Sequence, residues 1–510
     1  MNANSIFRRL DWVTTLIPFI CILALCGLFM AFPEASGRVV SGIRFFLGDE
    51  LGVYYMLMGL AALICSLYMA FSRFGNIRLG DLKKPQYPFF QWGAMLFTAG
   101  LAADILFYSL CEWLLYADED RIQALGSVQD WASSYPLFHW GPIPWSFYMS
   151  MAVAFGFMIH VRRRSKQKYS EACRPLLGKR VDGLWGRVID LLAVFALLAG
   201  TATTFSLATP LLSMAISRVT GLPETTVLTI SILAVICLVY TLAVYFGMKG
   251  VSRLASSCVY LFFLLLAYVL FSGGQARYTI ETGLSSLGIL AQNFIGLSTW
   301  TDPLRTTSFV QNWTIFYWAY WMVWCIATPF FIGTISKGRT IRQTVLGGYF
   351  FGLAGTFTSF IILGNYGLGL QMTGRLDLIG IYRQTQDLYQ AIMSLFSTLP
   401  MPQLALIILV LTMIAFYATS FDALAIVASS YSYKSLEADE EPDKRVKLFW
   451  SIVLMLLPVA LIFSESSMSN LQSVSIIAAF PIGFVMILIV ASFFKDAGHY
   501  LDHECRAPKD

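Results

Sequence analysis

An aspartate stands in the middle of an apolar stretch, Leu96-Phe-Thr-Ala-Gly-Leu-Ala-Ala-Asp-Ile-Leu-Phe-Tyr108. An ionisable side chain is costly inside a bilayer and by default marks a substrate or ion pathway. Tyr108 and Glu112 follow Asp104 at four-residue steps, which places the three on one helical face. The competing reading is an acid hydrogen-bonded between helices for packing alone. The neighbouring small residues, Ala99-Gly100 and Ala102-Ala103, permit either close helix packing or an unwound segment whose carbonyls face a substrate or ion. Asp190, three residues after Arg187, reads instead as half of a structural ion pair.

Aromatic side chains form the second constellation. Trp140, Trp145 and Tyr148 fall in Phe138-His-Trp-Gly-Pro-Ile-Pro-Trp-Ser-Phe-Tyr148, where Pro142 and Pro144 disturb the first helical turn. In Trp313-Thr-Ile-Phe-Tyr-Trp-Ala-Tyr-Trp-Met-Val-Trp324, the residues Tyr317, Tyr320, Trp321 and Trp324 share a single face. Trp313 and Trp318 read as an interfacial belt. A stripe that continues toward mid-span fits a different use. Trimethylammonium offers no hydrogen-bond donor, so a box of aromatic faces is what replaces its hydration. Helix packing is the alternative for such a stripe.

These residues must be positioned by elements that live in lipid. Of 510 residues, 57% are hydrophobic and 13% charged, against about 25% charged in a soluble domain. Runs of about 20 apolar residues give twelve spans, near 12–33, 51–71, 91–116, 137–160, 187–214, 226–248, 254–272, 313–334, 344–364, 401–429, 448–464 and 471–494. The first reads as a retained helix rather than a cleaved signal. Most of the 35 Lys and Arg fall in the two tails and in the loops after even-numbered spans. That sorting places both termini in the cytoplasm and accounts for the net charge of +5 without a nucleic-acid partner. Arg162, Arg163, Arg164, Lys166 and Lys168 are the strongest anchor, read as topogenic, lipid-facing charge. The segment 117–136 reads as an outer loop, and 273–312 as a loop carrying a helix along the membrane surface. None of the nine cysteines sits in a loop placed outside, so no disulfide is expected, and the four histidines have no metal-ligand spacing. No soluble enzymatic domain is apparent, no catalytic residue is proposed, and no cofactor is expected beyond a coupling proton or sodium ion.

At these residues the chain resembles the betaine/choline/carnitine transporter (BCCT) family. The likeness is carried by Phe138-His-Trp-Gly with Trp145 and Tyr148, Ala208-Thr-Pro210, Thr301-Asp-Pro303, Trp313-Thr-Ile-Phe-Tyr-Trp-Ala319, Ile335-Ser-Lys-Gly-Arg-Thr340 and Thr419-Ser-Phe-Asp422. It implies an all-α integral membrane protein of twelve helices with a five-plus-five inverted repeat, assembled as a homotrimer in the cytoplasmic (inner) membrane. The organisation expected is 1–90 for the tail and first two helices, 91–272 for the first repeat, 273–312 for the outer loop, 313–494 for the second repeat and 495–510 for a short tail.

The resemblance places the aromatic box on Trp140, Trp145, Tyr148 and Trp321, with Trp324 lining the path beside it. Tyr320 stands where a tryptophan is usual, and Leu115 where carnitine transporters have a tyrosine. Asp104 aligns with a glycine in betaine-type members and an aspartate in choline-type members. For a zwitterion, a charge there repels the substrate carboxylate unless Asp104 is protonated or points away. Sodium-coupled members use positions matching Thr98, Leu101, Thr419 and Ser420, while Cys258 replaces the arginine of sodium-independent carnitine exchangers. The expectation is a secondary transporter of carnitine, choline or glycine betaine, driven by protons or sodium, with Asp104 the coupling residue. Alternatives are an ion-independent exchanger of carnitine-type betaines, a non-transporting sensor, and a membrane enzyme acting on lipid headgroups. Alternating access implies broken or flexible segments around Ala99–Ala103 and Cys325–Pro329 flanking the site.

Overall fold

The computed structural model describes residues 8–100, 102–164, 166–246, 249–436, 440–464 and 468–504. Among these there is no sheet, and the only strand-like pairings are two isolated bridges, Leu10 to Tyr433 and Arg78 to Thr340. A backbone in lipid must satisfy its own polar groups, and helices do so within one segment. Eight helices among the described residues are long and apolar enough to cross a membrane, and up to eleven spans result if each of three sharply bent helix pairs counts as one.

In chain order, α1 (Trp12–Ala31) is capped by the Asp11 side chain, which accepts from Val13 N at 3.2 Å. It is followed by α2 (Pro33–Phe45) and α3 (Gly52–Phe71). The third expected span is broken into α4 (Phe89–Ala99) and α5 (Ala103–Ala117), set at 63°. Next come α6 (Val128–His139) and α7 (Pro142–Gly156). The expected loop 117–136 is therefore largely helical, and the fourth span starts earlier than its apolar run suggests, because Ser127 accepts from Asp130 N at 3.3 Å and begins the helix there.

The long α8 (Leu184–Thr220) precedes α9 (Thr226–Phe246) and α10 (Lys249–Ser272). The helix expected within 273–312 is α11 (Ala276–Thr299), turned 113° from the preceding span. The eighth expected span is again a broken pair, α12 (Ile315–Trp324) and α13 (Thr328–Ile335), with 55° between its halves. The chain ends in α14 (Ile341–Ser359), α15 (Pro402–Tyr431), α16 (Lys444–Phe463) and α17 (Met468–His499). The last helix runs past residue 494, where the apolar run stops.

Both breaks have local causes. Gly100 ends α4 and Ala102 is extended, at φ −135° and ψ 175°. Pro329 lies in the first turn of α13, where its missing N–H costs nothing but the preceding helix cannot continue. The freed Cys325 carbonyl is satisfied by the Tyr169 hydroxyl at 2.5 Å. Where α13 meets α7, a Cβ on Gly333 would stand 2.8 Å from Gly156 N and 2.9 Å from Ala152 O. Gly333→Ala is expected to force the two helices apart at a cost of about 1–3 kcal/mol, read as a lower midpoint of thermal unfolding in detergent.

Two expectations about charge are corrected. Asp190 pairs with Lys168 at 3.5 Å and accepts from Ser170 N at 3.2 Å, while Arg187 is exposed. A pairing across the fold displaces the one suggested by nearness in sequence. The basic segment is also not simply lipid-facing: Arg162 and Arg164 meet Asp496 of α17 at 2.9 and 3.1 Å. Beyond them, the Arg174 guanidinium bonds Asp182 and holds its carboxyl well below the usual range.

Candidate functional site

A cavity of about 460 Å³ lies where the two broken helices meet α7, α10 and α15. Asp104 enters it from the first turn of α5, where the helix N-terminus favours a negative charge. Its Oδ1 accepts from Ile105 N at 3.0 Å, and its Oδ2 accepts the Tyr320 hydroxyl, which also meets Thr204 Oγ1. Asp104 is the only acidic or basic residue among the described residues that line the cavity.

Facing it are rings of the turn between α6 and α7, of α7 itself and of α12. Trp140, Tyr148, Tyr320, Trp321 and Trp324 all line the cavity. Trp321 is the centre of the group, with its ring centroid 4.8 Å from Tyr148, 5.6 Å from Trp140 and 5.8 Å from Trp145. Trp324 stands one turn further along, 6.5 Å from Tyr320 and at 80° to it. The indole N–H groups of Trp321 and Trp324 are buried without a protein acceptor. The arrangement therefore offers aromatic faces, one carboxylate and unspent donors in a largely apolar space, the equipment for a small organic cation.

Trp145 takes a different place from the one expected. It does not line the cavity but is fully buried behind Trp321 and Tyr148, in a slot formed by two glycines. A Cβ on Gly100 would lie 2.6 Å from its Cζ2, and one on Gly352 would lie 2.5 Å from its Cη2. Among the small residues near Asp104, Gly100 ends a helix and also admits the indole.

Among the coupling candidates, Thr98, Thr419 and Ser420 line the cavity together with Cys258. The Thr98 and Thr419 hydroxyls donate to carbonyls of their own helices, at 3.1 Å to Ala94 and 3.0 Å to Phe416. Leu101 lies outside the described residues. The cavity continues from Asp104 to Gln167 and Thr334, at the end of the bundle that carries the basic segment.

The expected aromatic belt is also corrected. Trp318 is fully buried against Phe138 at 5.3 Å, and Trp313 is buried with its indole donating to Glu119 at 2.6 Å. On the same helix Tyr317 leaves the cavity group and joins Glu112, a fully buried carboxylate that accepts from Tyr116, Tyr317 and Trp140 at 2.6, 2.6 and 2.8 Å. Spacing placed Glu112 on the Asp104 face, with Tyr116 a further four residues along the same helix, but gave no sign of the two donors from other segments, Tyr317 and Trp140.

The sequence model of the family described as BCCT, betaine/carnitine/choline family transporter, matches residues 13–501. The chain is 27% identical to a carnitine transporter of Acinetobacter baumannii, over 86% of its own length and 80% of that protein. It is 29% identical to a probable glycine betaine transporter of Desulfitobacterium hafniense, over 93% and 94% of the two chains. A glycine betaine transporter of Bacillus subtilis is 28% identical, over 91% and 90%.

Proposed function

We propose, from the premise that this chain belongs to the betaine/carnitine/choline transporter family and is a membrane-spanning transporter rather than an enzyme, that it carries a trimethylammonium cation into the cell, choline in preference to its zwitterionic relatives. The observation that supports this reading is the joint presence of Asp104 and the Trp140, Tyr148 and Trp321 rings on one cavity with no described basic side chain. A trimethylammonium head satisfies the rings, and Asp104 supplies the counter-charge. A carboxylate-bearing substrate would meet Asp104 with no cationic side chain among the described lining residues to receive it.

The broken pairs α4–α5 and α12–α13 serve as the first helices of two inverted repeats, 91–272 and 313–494, which rock about the site. Asp104, within reach of the Tyr320 hydroxyl, gives up its proton as it takes the cation and regains one as the cation leaves, so that a proton moves opposite to choline. Thr98, Thr419 and Ser420 mark the position a sodium ion would take if sodium drives the cycle instead. Both termini lie in the cytoplasm and the chain assembles as a homotrimer in the inner membrane.

The test is uptake of labelled choline, carnitine and glycine betaine into proteoliposomes, each under a proton gradient, a sodium gradient, or unlabelled internal substrate alone. Choline uptake that follows the proton gradient is expected. Carnitine exchange that needs no ion gradient would replace this reading with that of an exchanger.

A further inference from the structure

Glu112 is fully buried, lies outside the cavity lining, and has no part in the transport cycle proposed above. Its Oε2 accepts the Trp140 Nε1 hydrogen bond at 2.8 Å and the Tyr317 hydroxyl at 2.6 Å. Its Oε1 accepts the Tyr116 hydroxyl at 2.6 Å. An indole N–H only donates, so Oε2 must accept, and an ionised carboxylate accepts all three bonds.

No Lys or Arg among the described residues pairs with Glu112. The imidazole of His139 comes closest with Nδ1, 4.0 Å from Oε1. That imidazole is engaged on both sides, Nδ1 with the Tyr116 oxygen at 2.6 Å and Nε2 with Thr314 Oγ1 at 3.0 Å. A neutral imidazole fits this chain of bonds, donating from Nδ1 to Tyr116 and accepting the Thr314 hydroxyl at Nε2. With the protons so placed, the cluster holds one negative charge with no counter-cation among the described residues, connected by a single hydrogen bond to an indole that lines the cavity.

An aromatic face attracts a cation through the electron density of its ring. A carboxylate bonded at the N–H edge pushes density into that ring. The same charge behind the wall also acts directly on a cation in front of it, across an interior where charges are weakly screened. We propose that Glu112 is the electrostatic partner of Trp140: without touching the substrate, it makes the cavity select a cation over an uncharged molecule of the same shape. This rests on the transport reading of the same cavity and names the residue that sets its charge preference.

Isothermal calorimetry on the purified full chain tests it with two pairs of probes. Choline is paired with 3,3-dimethylbutan-1-ol and glycine betaine with 3,3-dimethylbutanoate, carbon replacing the quaternary nitrogen in each case. Glu112→Gln is expected to weaken the cation about tenfold and its isostere less than about twofold. Equal losses for the two members of a pair would overturn the inference while leaving the transport reading intact. A wild-type chain that binds neither cation would overturn the transport reading itself. Tyr116→Phe decides the matter if Glu112→Gln does not fold or the isosteres bind too weakly. It removes one donor and leaves the charge to Trp140 and Tyr317, so cation affinity should hold or rise. A merely structural cluster would lose affinity in that variant, and such a loss would overturn the proposal.

Discussion

Asp104→Asn is expected to lower kcat/KM for choline uptake by at least about a hundredfold and to remove its dependence on an imposed proton gradient. The size follows from the charge. Two unit charges about 4 Å apart at an effective dielectric of 20 interact by roughly 4 kcal/mol, and no other acidic side chain among the described lining residues shares that duty. Asparagine keeps the size of the side chain and an oxygen for the Tyr320 hydroxyl, so the cavity need not collapse. What it loses is the counter-charge and the exchangeable proton. The two losses separate in one experiment, since uptake measured over a range of external pH reports coupling while its saturation reports affinity. Unchanged uptake with an unchanged pH profile would remove Asp104 from the mechanism and return it to the reading of a packing acid. Tyr320→Phe, which leaves the charge and removes one donor, should have a much smaller effect in the same assay.

Which parts of this site were legible in the sequence depended on whether their cause was local. The break around Cys325–Pro329, expected from alternating access, has a local cause in Pro329, and the chain does bend between Trp324 and Thr328. The Asp104, Tyr108 and Glu112 spacing likewise holds, because four-residue steps fix a face whatever surrounds it. The places of Trp145 and Trp318 were not legible. Each is decided by a glycine on another helix, Gly352 for Trp145 and Gly59 for Trp318, whose added Cβ would stand within 2.5 and 2.9 Å of the respective ring. Nothing in the local pattern distinguishes an indole admitted to such a slot from one at the membrane surface. Asp190 teaches the same lesson about charge. Arg187 is one helical turn away along α8, but Lys168 approaches from the preceding segment and forms the buried pair. The Glu112 cluster draws donors from α5, α12 and the turn at Trp140, so its existence depends on tertiary packing.

Trp321→Leu should abolish detectable cation binding, a loss beyond about thirtyfold. Trp321 is the ring that Trp140, Trp145 and Tyr148 each approach to within 5.8 Å, so its removal leaves the remaining faces without the wall that closes the box. A quaternary ammonium bound between desolvated aromatic faces gains about 2 kcal/mol or more from one ring, and the leucine also leaves space where the indole stood. These contributions can be told apart. Trp321→Phe keeps a π-face of smaller area, so binding should survive at an intermediate level, whereas a role in packing alone would make phenylalanine and leucine differ only in thermal stability. The Trp321 N–H, buried without a protein acceptor, adds a third comparison. If that donor serves a substrate oxygen, phenylalanine should cost choline, with its hydroxyl, more affinity than tetramethylammonium, which has none. A variant series in which affinity followed the unfolding midpoint, for both cations alike, would show the stripe on α12 to be core, and the cation would then have to be held elsewhere.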